Sequence, residues 1–300
     1  MREFYSIRLA GIGLALALPL AALASGDSVE RRVAAEANGE VVISNVSGTV
    51  DVRGWDRNEV QVSGHLDEGV ERLDVESANG RVVIKVVLPR GHVRSGDAVL
   101  EVQVPRASMV EVGAVSADVS SRGVLGTQRL KTVSGEITAD VSGDDSELRS
   151  VSGDVTVRGS GQPISLRVSS VSGSLDLSNS AGKLDVVTVS GDARVQMGEA
   201  SEIRGRTTSG DLNVRARLTQ DARVDVEGVS GDITLKLASS SGFSTEIETF
   251  SGDISGCLAS GKVERTSKYG PGRRLNIRTV EAGARVRAKT LSGEVMICDR

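Results

Sequence analysis

The chain has 300 residues, 39% hydrophobic and 25% charged, with 35 Gly, 43 Val and 38 Ser but only 2% aromatic residues. Val favours pleated strands while Gly and Ser punctuate turns, so the composition argues against a helical bundle or a doubly wound α/β enzyme. A formal net charge of -4 supplies no basic footprint for nucleic acid.

At the N-terminus, Arg2 and Arg8 precede or flank an apolar run over residues 9–23 that ends in Ala22-Leu23-Ala24, a small-x-small cleavage pattern. Residues 1–24 read as a signal peptide. The run is interrupted by Pro19 and falls short of the roughly 20 residues a spanning helix needs, so no membrane span is expected after cleavage. The mature chain is expected to be exported, either periplasmic or at the cell surface or secreted. Residues 25–37 read as a linker. Over 38–105, short β patterns at 40–43, 49–53, 59–63, 73–76, 81–88 and 100–104 have irregular spacing and read as an N-terminal β region or cap.

From 106 to 256 a pentapeptide organises the chain. Val133-Ser134-Gly135-Glu136-Ile137, Val151-Ser152-Gly153-Asp154-Val155 and Val229-Ser230-Gly231-Asp232-Ile233 are typical copies, and successive motif glycines from Gly135 to Gly252 recur every 18–21 residues. Apolar residues fall at -7, -5, -2, +2 and +4 from the glycine, as in Leu184, Val186, Val189, Ala193 and Val195. Parity switches before the glycine, so the chain must turn a corner there to keep these side chains on one side. Such a unit cannot bury its own face, whereas copies stacked about 4.8 Å apart close a continuous core. The expectation is an all-β parallel β-solenoid, a single-stranded β-helix, with an irregular N-terminal β cap and a C-terminal hairpin cap. On this pattern Phe250, at -2, points inward.

Residues 257–300 read as that hairpin plus a final coil. Cys257 and Cys298 each lie five residues after a motif glycine, and a cysteine pair in an exported chain points to a disulfide. Two coils would hold their Cα atoms about 9.6 Å apart, beyond the roughly 7 Å limit for a bridge. The bridge therefore requires residues 258–283 to leave the stack. Segments 275–280 and 284–290 around Glu281-Ala282-Gly283 read as an antiparallel hairpin whose second strand begins a coil resting on the Gly252 coil, and whose first strand covers the open edge.

Stacking also lines up carboxylates after the motif glycine: Glu136, Asp154, Asp192, Asp211, Asp232, Asp253 and Glu294. Like charges one coil apart repel, and the offset could come from bend N–H groups, neighbouring serine hydroxyls or bound Ca²⁺. The main reading is a solvated acidic stripe that fixes turns, with no cofactor, since the glycine-rich calcium repeat is absent. His65 and His92 share no metal-ligand spacing and read as surface or loop residues. No nucleophile elbow, phosphate loop or dinucleotide fingerprint is present, so no catalytic residues are assigned. Residues 262–289 carry nine Lys/Arg against Glu264 and Glu281. Arg265, Lys268, Arg273, Arg274 and Arg278 could hold an anionic partner or the acidic column of a second copy, or simply prevent edge-to-edge aggregation.

The Ser-Gly-Asp-Ile units, Val50-Asp51-Val52-Arg53-Gly54-Trp55-Asp56, the Val102-Gln103-Val104-Pro105 stop, Tyr269-Gly270-Pro271-Gly272 and Thr290-Leu291-Ser292-Gly293-Glu294-Val295 resemble one bacterial family. It is the exported, β-helical, adhesin-like domain family, and the likeness covers roughly residues 38–298. The resemblance implies a non-enzymatic module that binds an envelope polymer or envelope protein. Self-association, a periplasmic envelope-stress module and, last, a polysaccharide-active hydrolase or lyase are the other readings.

Overall fold

Alternation of Val, Ile and Leu with polar residues makes strands the only regular elements among the described residues. The computed structural model describes residues 27–89, 96–258, 261–267, 270–278 and 283–299. The expected signal peptide, residues 25 and 26 of the linker, His92, Lys268, Tyr269 and the Glu281-Ala282 turn lie outside these residues.

In chain order the strands are β1 (Asp27–Ala34), β2 (Glu40–Trp55), β3 (Glu59–Leu66), β4 (Arg72–Ala78), β5 (Arg81–Val87), β6 (Ala98–Pro105), β7 (Met109–Arg122) and β8 (Gln128–Lys131). Next come β9 (Ile137–Val141), β10 (Ser146–Arg149), β11 (Val155–Gly159), β12 (Pro163–Ser170), β13 (Leu175–Thr188), β14 (Ala193–Thr207) and β15 (Leu212–Ser230). The last are β16 (Ile233–Ala238), β17 (Phe243–Thr249), β18 (Ile254–Gly256), β19 (Val263–Arg265), β20 (Arg273–Ile277), β21 (Ala284–Ser292) and β22 (Val295–Cys298).

Two parallel ladders run through the molecule. One follows β5–β2–β7–β8–β10–β12–β13–β14–β15–β21–β17. The other follows β6–β2–β7–β9–β11–β13–β14–β15–β16–β22–β18. The long strands β2, β7, β13, β14 and β15 contribute to both, so successive motifs stack rung on rung. Between the ladders lies one apolar core, in which Ile137, Val155, Leu175, Ala193, Leu212, Ile233 and Val295, all two residues after a motif glycine, are buried.

Stack order departs from chain order at both ends. Strand β2 lies between β5/β6 and β7, so the first rung of the chain is the second rung of the stack. The last rung, β21/β22, is inserted between β15/β16 and β17/β18. Antiparallel strands lie outside this parallel core: β4 on β5, β3 and then β1 on β6, and β20 and then β19 on β17. They occupy edges that would otherwise template pairing with another chain.

Two sequence expectations require correction. Strand β20 does not form a hairpin with β21; the two flank β17 on opposite sides, β20 antiparallel and β21 parallel. The expected hairpin would pair β21 with β20 and β17, whereas insertion pairs it in parallel with β15 and β17 and extends both ladders. The edge-covering role expected of the first strand does fall to β20.

The corner also differs from the expected pattern. Position -2 faces outward: Phe250 is 62% exposed and Val171 45%. The inward residue is one earlier, at -3, and it is polar: Thr132, Ser150, Ser170, Thr188 and Thr207 are buried. Each hydroxyl accepts the N–H of its own motif glycine, for example Gly153 to Ser150 Oγ at 2.8 Å and Gly191 to Thr188 Oγ1 at 3.1 Å. The N–H turned inward at the bend needs a partner, which a valine side chain cannot supply and a hydroxyl can. Glycine at the centre of the bend is set by close approach: a Cβ on Gly153 would lie 1.8 Å from the carbonyl oxygen of Gly135.

Candidate functional site

The acidic column is built into the stacking. Asp154 Oδ1 accepts the N–H of Ser174 at 2.8 Å, Asp192 that of Asp211 at 3.0 Å, Asp211 that of Asp232 at 2.9 Å and Asp232 that of Glu294 at 2.8 Å. Each of these aspartates is tied to the next rung by a charge-assisted bond that offsets repulsion along the column. The column begins one rung earlier than the motif shows, because Asp118 Oδ1 accepts the N–H of Glu136 at 2.9 Å. Its signal, Val115-Ser116-Ala117-Asp118, lacks the glycine. Among the described residues, no group of three or more His, Cys, Asp or Glu side chains is placed to hold a metal ion. His65 lies on β3, opposite Val99.

Cys257 and Cys298 form a disulfide with Cα atoms 4.8 Å apart. They are neighbours because β22 pairs directly with β18. Trp55, the one tryptophan, donates from Nε1 to the Glu59 carbonyl at 2.9 Å and is capped by the Arg57 guanidinium 4.9 Å above its ring.

The outward face of the first ladder carries a column of alternating charge. Register places Glu111, Arg129, Glu147, Arg167, Asp185, Arg204, Asp225, Arg287 and Glu246 on successive strands. Opposite charges directly across neighbouring strands stabilise a sheet, and two of these approach as ion pairs: Arg167–Asp185 at 3.6 Å and Arg287–Glu246 at 3.5 Å. The neighbouring column ends in the same way. Glu248 is held by Lys289 at 3.1 Å and by Arg274. The Lys289 hydrogen bond, aided by Arg274 and opposed by partial burial, holds the Glu248 carboxyl below its ordinary value.

Other columns of this face bring like charges together, as Lys131 across from Arg149. Arg223 of β15 lies directly across from Arg285 of β21, and the next strand, β17, offers only Ser244. Arg278, just beyond β20, completes the set. The three arginines line an open groove of about 790 Å³ that Ser244, Asn276, Asp225 and Glu246 also border. Among the described residues Arg223, Arg278 and Arg285 have no ion-pair partner, while Glu246 is engaged by Arg287. Like charges across a ladder cost stability, and the one carboxylate directly across from Arg223, Glu202 of β14, is engaged by Arg204.

Of the basic residues singled out from the sequence, Arg274 and Arg278 border this groove, and Arg274 is engaged there by Glu248. Arg273 pairs with Asp253; Arg265 lines a separate shallow concavity with Asp253 and Arg273. Arg223 is missed by sequence reasoning because it comes from a distant repeat, and only the insertion of β21 beside β15 brings Arg285 to it.

The family model described as Toastrack DUF4097 matches residues 38–297. The chain belongs to this family. Similar solved structures include a candidate adhesin from Bacteroides fragilis, 11% identical, TM-score 0.41, covering 91% of this chain and 98% of that one. A candidate lipid-binding protein from Parabacteroides distasonis is 13% identical with TM-score 0.41, covering 91% of this chain and 98% of that one. A candidate cell adhesion protein from Clostridium sporogenes is 11% identical with TM-score 0.26, covering 92% of this chain and 100% of that one. No curated protein matches this sequence. No helix among the described residues is long and apolar enough to cross a membrane.

Proposed function

We propose that this toastrack chain is a non-enzymatic, exported β-solenoid that binds an anionic polymer of the cell envelope. The observation that carries the reading is the open groove lined by Arg223, Arg278 and Arg285, none of which makes an ion pair among the described residues. Guanidinium groups match phosphate and carboxylate oxygens in a planar, bidentate fashion, and a repetitive anionic polymer offers such groups at every unit. Asn276 and Ser244 add neutral hydrogen-bonding groups at the same groove. Weak engagement by one groove becomes firm attachment when many copies hold one polymer. The disulfide and family membership support an exported setting.

The test is binding of the purified mature chain to isolated envelope polymer before and after its anionic groups are chemically neutralised. Binding lost on neutralisation, and lost again in Arg223→Ala/Arg285→Ala, is the expected result; binding that survives both overturns the proposal. Protease accessibility on intact against permeabilised cells then separates a surface adhesin from a periplasmic module.

A further inference from the structure

The outward turn of position -2 has a consequence of its own. Stacked rungs align these side chains into an apolar ridge from Val46 through Val133, Val171 and Val229 to Leu291 and Phe250, interrupted by Thr208. At about 4.8 Å per rung the ridge runs about 40 Å along the molecule. A contiguous exposed apolar strip of this length on an exported chain calls for a covering partner.

We infer that the ridge is the contact between two copies of this chain lying side by side and parallel. Charge complementarity across the ridge selects this partner and this orientation. One flank is the acidic column; the other is the column at -4 from the motif glycine, which on the rungs of Glu136, Asp154, Asp211 and Glu294 carries Lys131, Arg149, Arg206 and Lys289. The rung of Ser174 carries Ser169 there, neutral facing neutral. Within one chain Arg149 bonds to Glu147 of its own strand at 2.8 Å, Arg206 and Lys289 bond along the stack to Glu227 at 3.8 Å and Glu248 at 3.1 Å, and none pairs across the ridge with the acid of its own rung.

A two-fold axis parallel to the stack sets the acids of those four rungs against the basic flank of the other copy, while Asp192 and Asp118 face the uncharged Val187 and Gly113. An antiparallel pair instead sets acid against acid. Two rungs oppose this matching, Asp232 with Glu227 and Asp253 with Glu248. Glu227, Asp253 and Glu248 are already held by Arg206, Arg273 and Arg274 of their own chain. The ridge and its serine border offer roughly 500 Å² per copy, at the low end for a specific interface, so the association is weak and concentration-dependent.

Sedimentation velocity of the mature chain, with the Cys257–Cys298 bridge intact, tests this. The wild type is expected to shift from monomer to dimer as concentration rises. Val151→Asp/Val189→Asp is expected to stay monomeric with an unchanged melting temperature. Glu136→Lys and Lys131→Glu are each expected to weaken dimerisation several-fold, and mixing the two to restore it. Under mild oxidation Val171→Cys is expected to give a covalent dimer, and a mixture of Val133→Cys and Val229→Cys no cross-link between the two variants. A wild type that stays monomeric at every concentration, a mixture that fails to rescue, or a dominant Val133→Cys to Val229→Cys cross-link would overturn the inference.

Discussion

Asp232 Oδ1 accepts the backbone N–H of Glu294 at 2.8 Å across a sequence separation of 62 residues. That bond belongs to the same series that ties Asp192 to Asp211 and Asp211 to Asp232, and it continues across the point where chain order and stack order part. The inserted rung is thus received by the same side-chain chemistry that joins successive repeats.

Asp232→Ala is expected to destabilise the chain by at most about 1 kcal/mol, the cost of a solvent-exposed charge-assisted bond. Asp232→Asn, which keeps an acceptor, should cost less. Glu136 receives no backbone N–H from a later rung, so Glu136→Ala should be nearly silent in thermal melts. Equal losses for Asp232→Ala and Glu136→Ala would contradict the role assigned to the aspartates.

Thr188→Val removes the acceptor for Gly191 N–H at a buried corner. The expected cost is about 1–3 kcal/mol, since an inward N–H is left without a partner, and Thr188→Ser should restore most of it. Comparing denaturation midpoints of the two variants checks this. A Thr188→Val protein as stable as wild type would show that the corner hydroxyls are incidental.

These two columns show what the sequence made legible. The Val-Ser-Gly-Asp repeat announces rungs, a bend and an aligned acid because spacing alone determines them. The inward hydroxyl at -3 was obscured because Val at -2 carries the stronger apolar signal, and hydrophobicity does not reveal that the bend N–H needs an acceptor. Cys257 and Cys298 signalled that the last rung sits beside the Gly252 rung, but not that it enters between that rung and the Gly231 rung. The arginine groove was hidden for the same reason: Arg223 and Arg285 meet only through the insertion.

The bridge between Cys257 and Cys298 ties the inserted rung to its outer neighbour. Cys257→Ser/Cys298→Ser is expected to lose about 2–4 kcal/mol of stability. Hydrogen exchange should speed up first in β17, β18 and β20, with the rungs from β9 to β14 still protected. Uniform loss of protection would mean that the bridge supports the whole stack.

Glu248 sets an acid-side dependence. Its carboxyl is held below the ordinary value of 4.5, chiefly by the Lys289 hydrogen bond, so it favours the folded state when ionised. The contribution is present above the unfolded-state value and is lost as pH falls through the lower folded-state value. Glu248→Gln should therefore be less stable than wild type near neutrality, with the gap closing as the solution is acidified. A gap that stays constant across pH would contradict the ion-pair account.

The most direct test of the anion-binding claim is a fluorescence titration of the mature chain with inorganic polyphosphate at several salt concentrations, alongside Arg223→Ala/Arg278→Ala/Arg285→Ala. The account predicts saturable binding that weakens steeply with salt and is lost in the triple variant, while the variant's melting temperature holds or rises as like-charge repulsion is relieved. Equal binding by wild type and variant, or no binding at low salt, would contradict it.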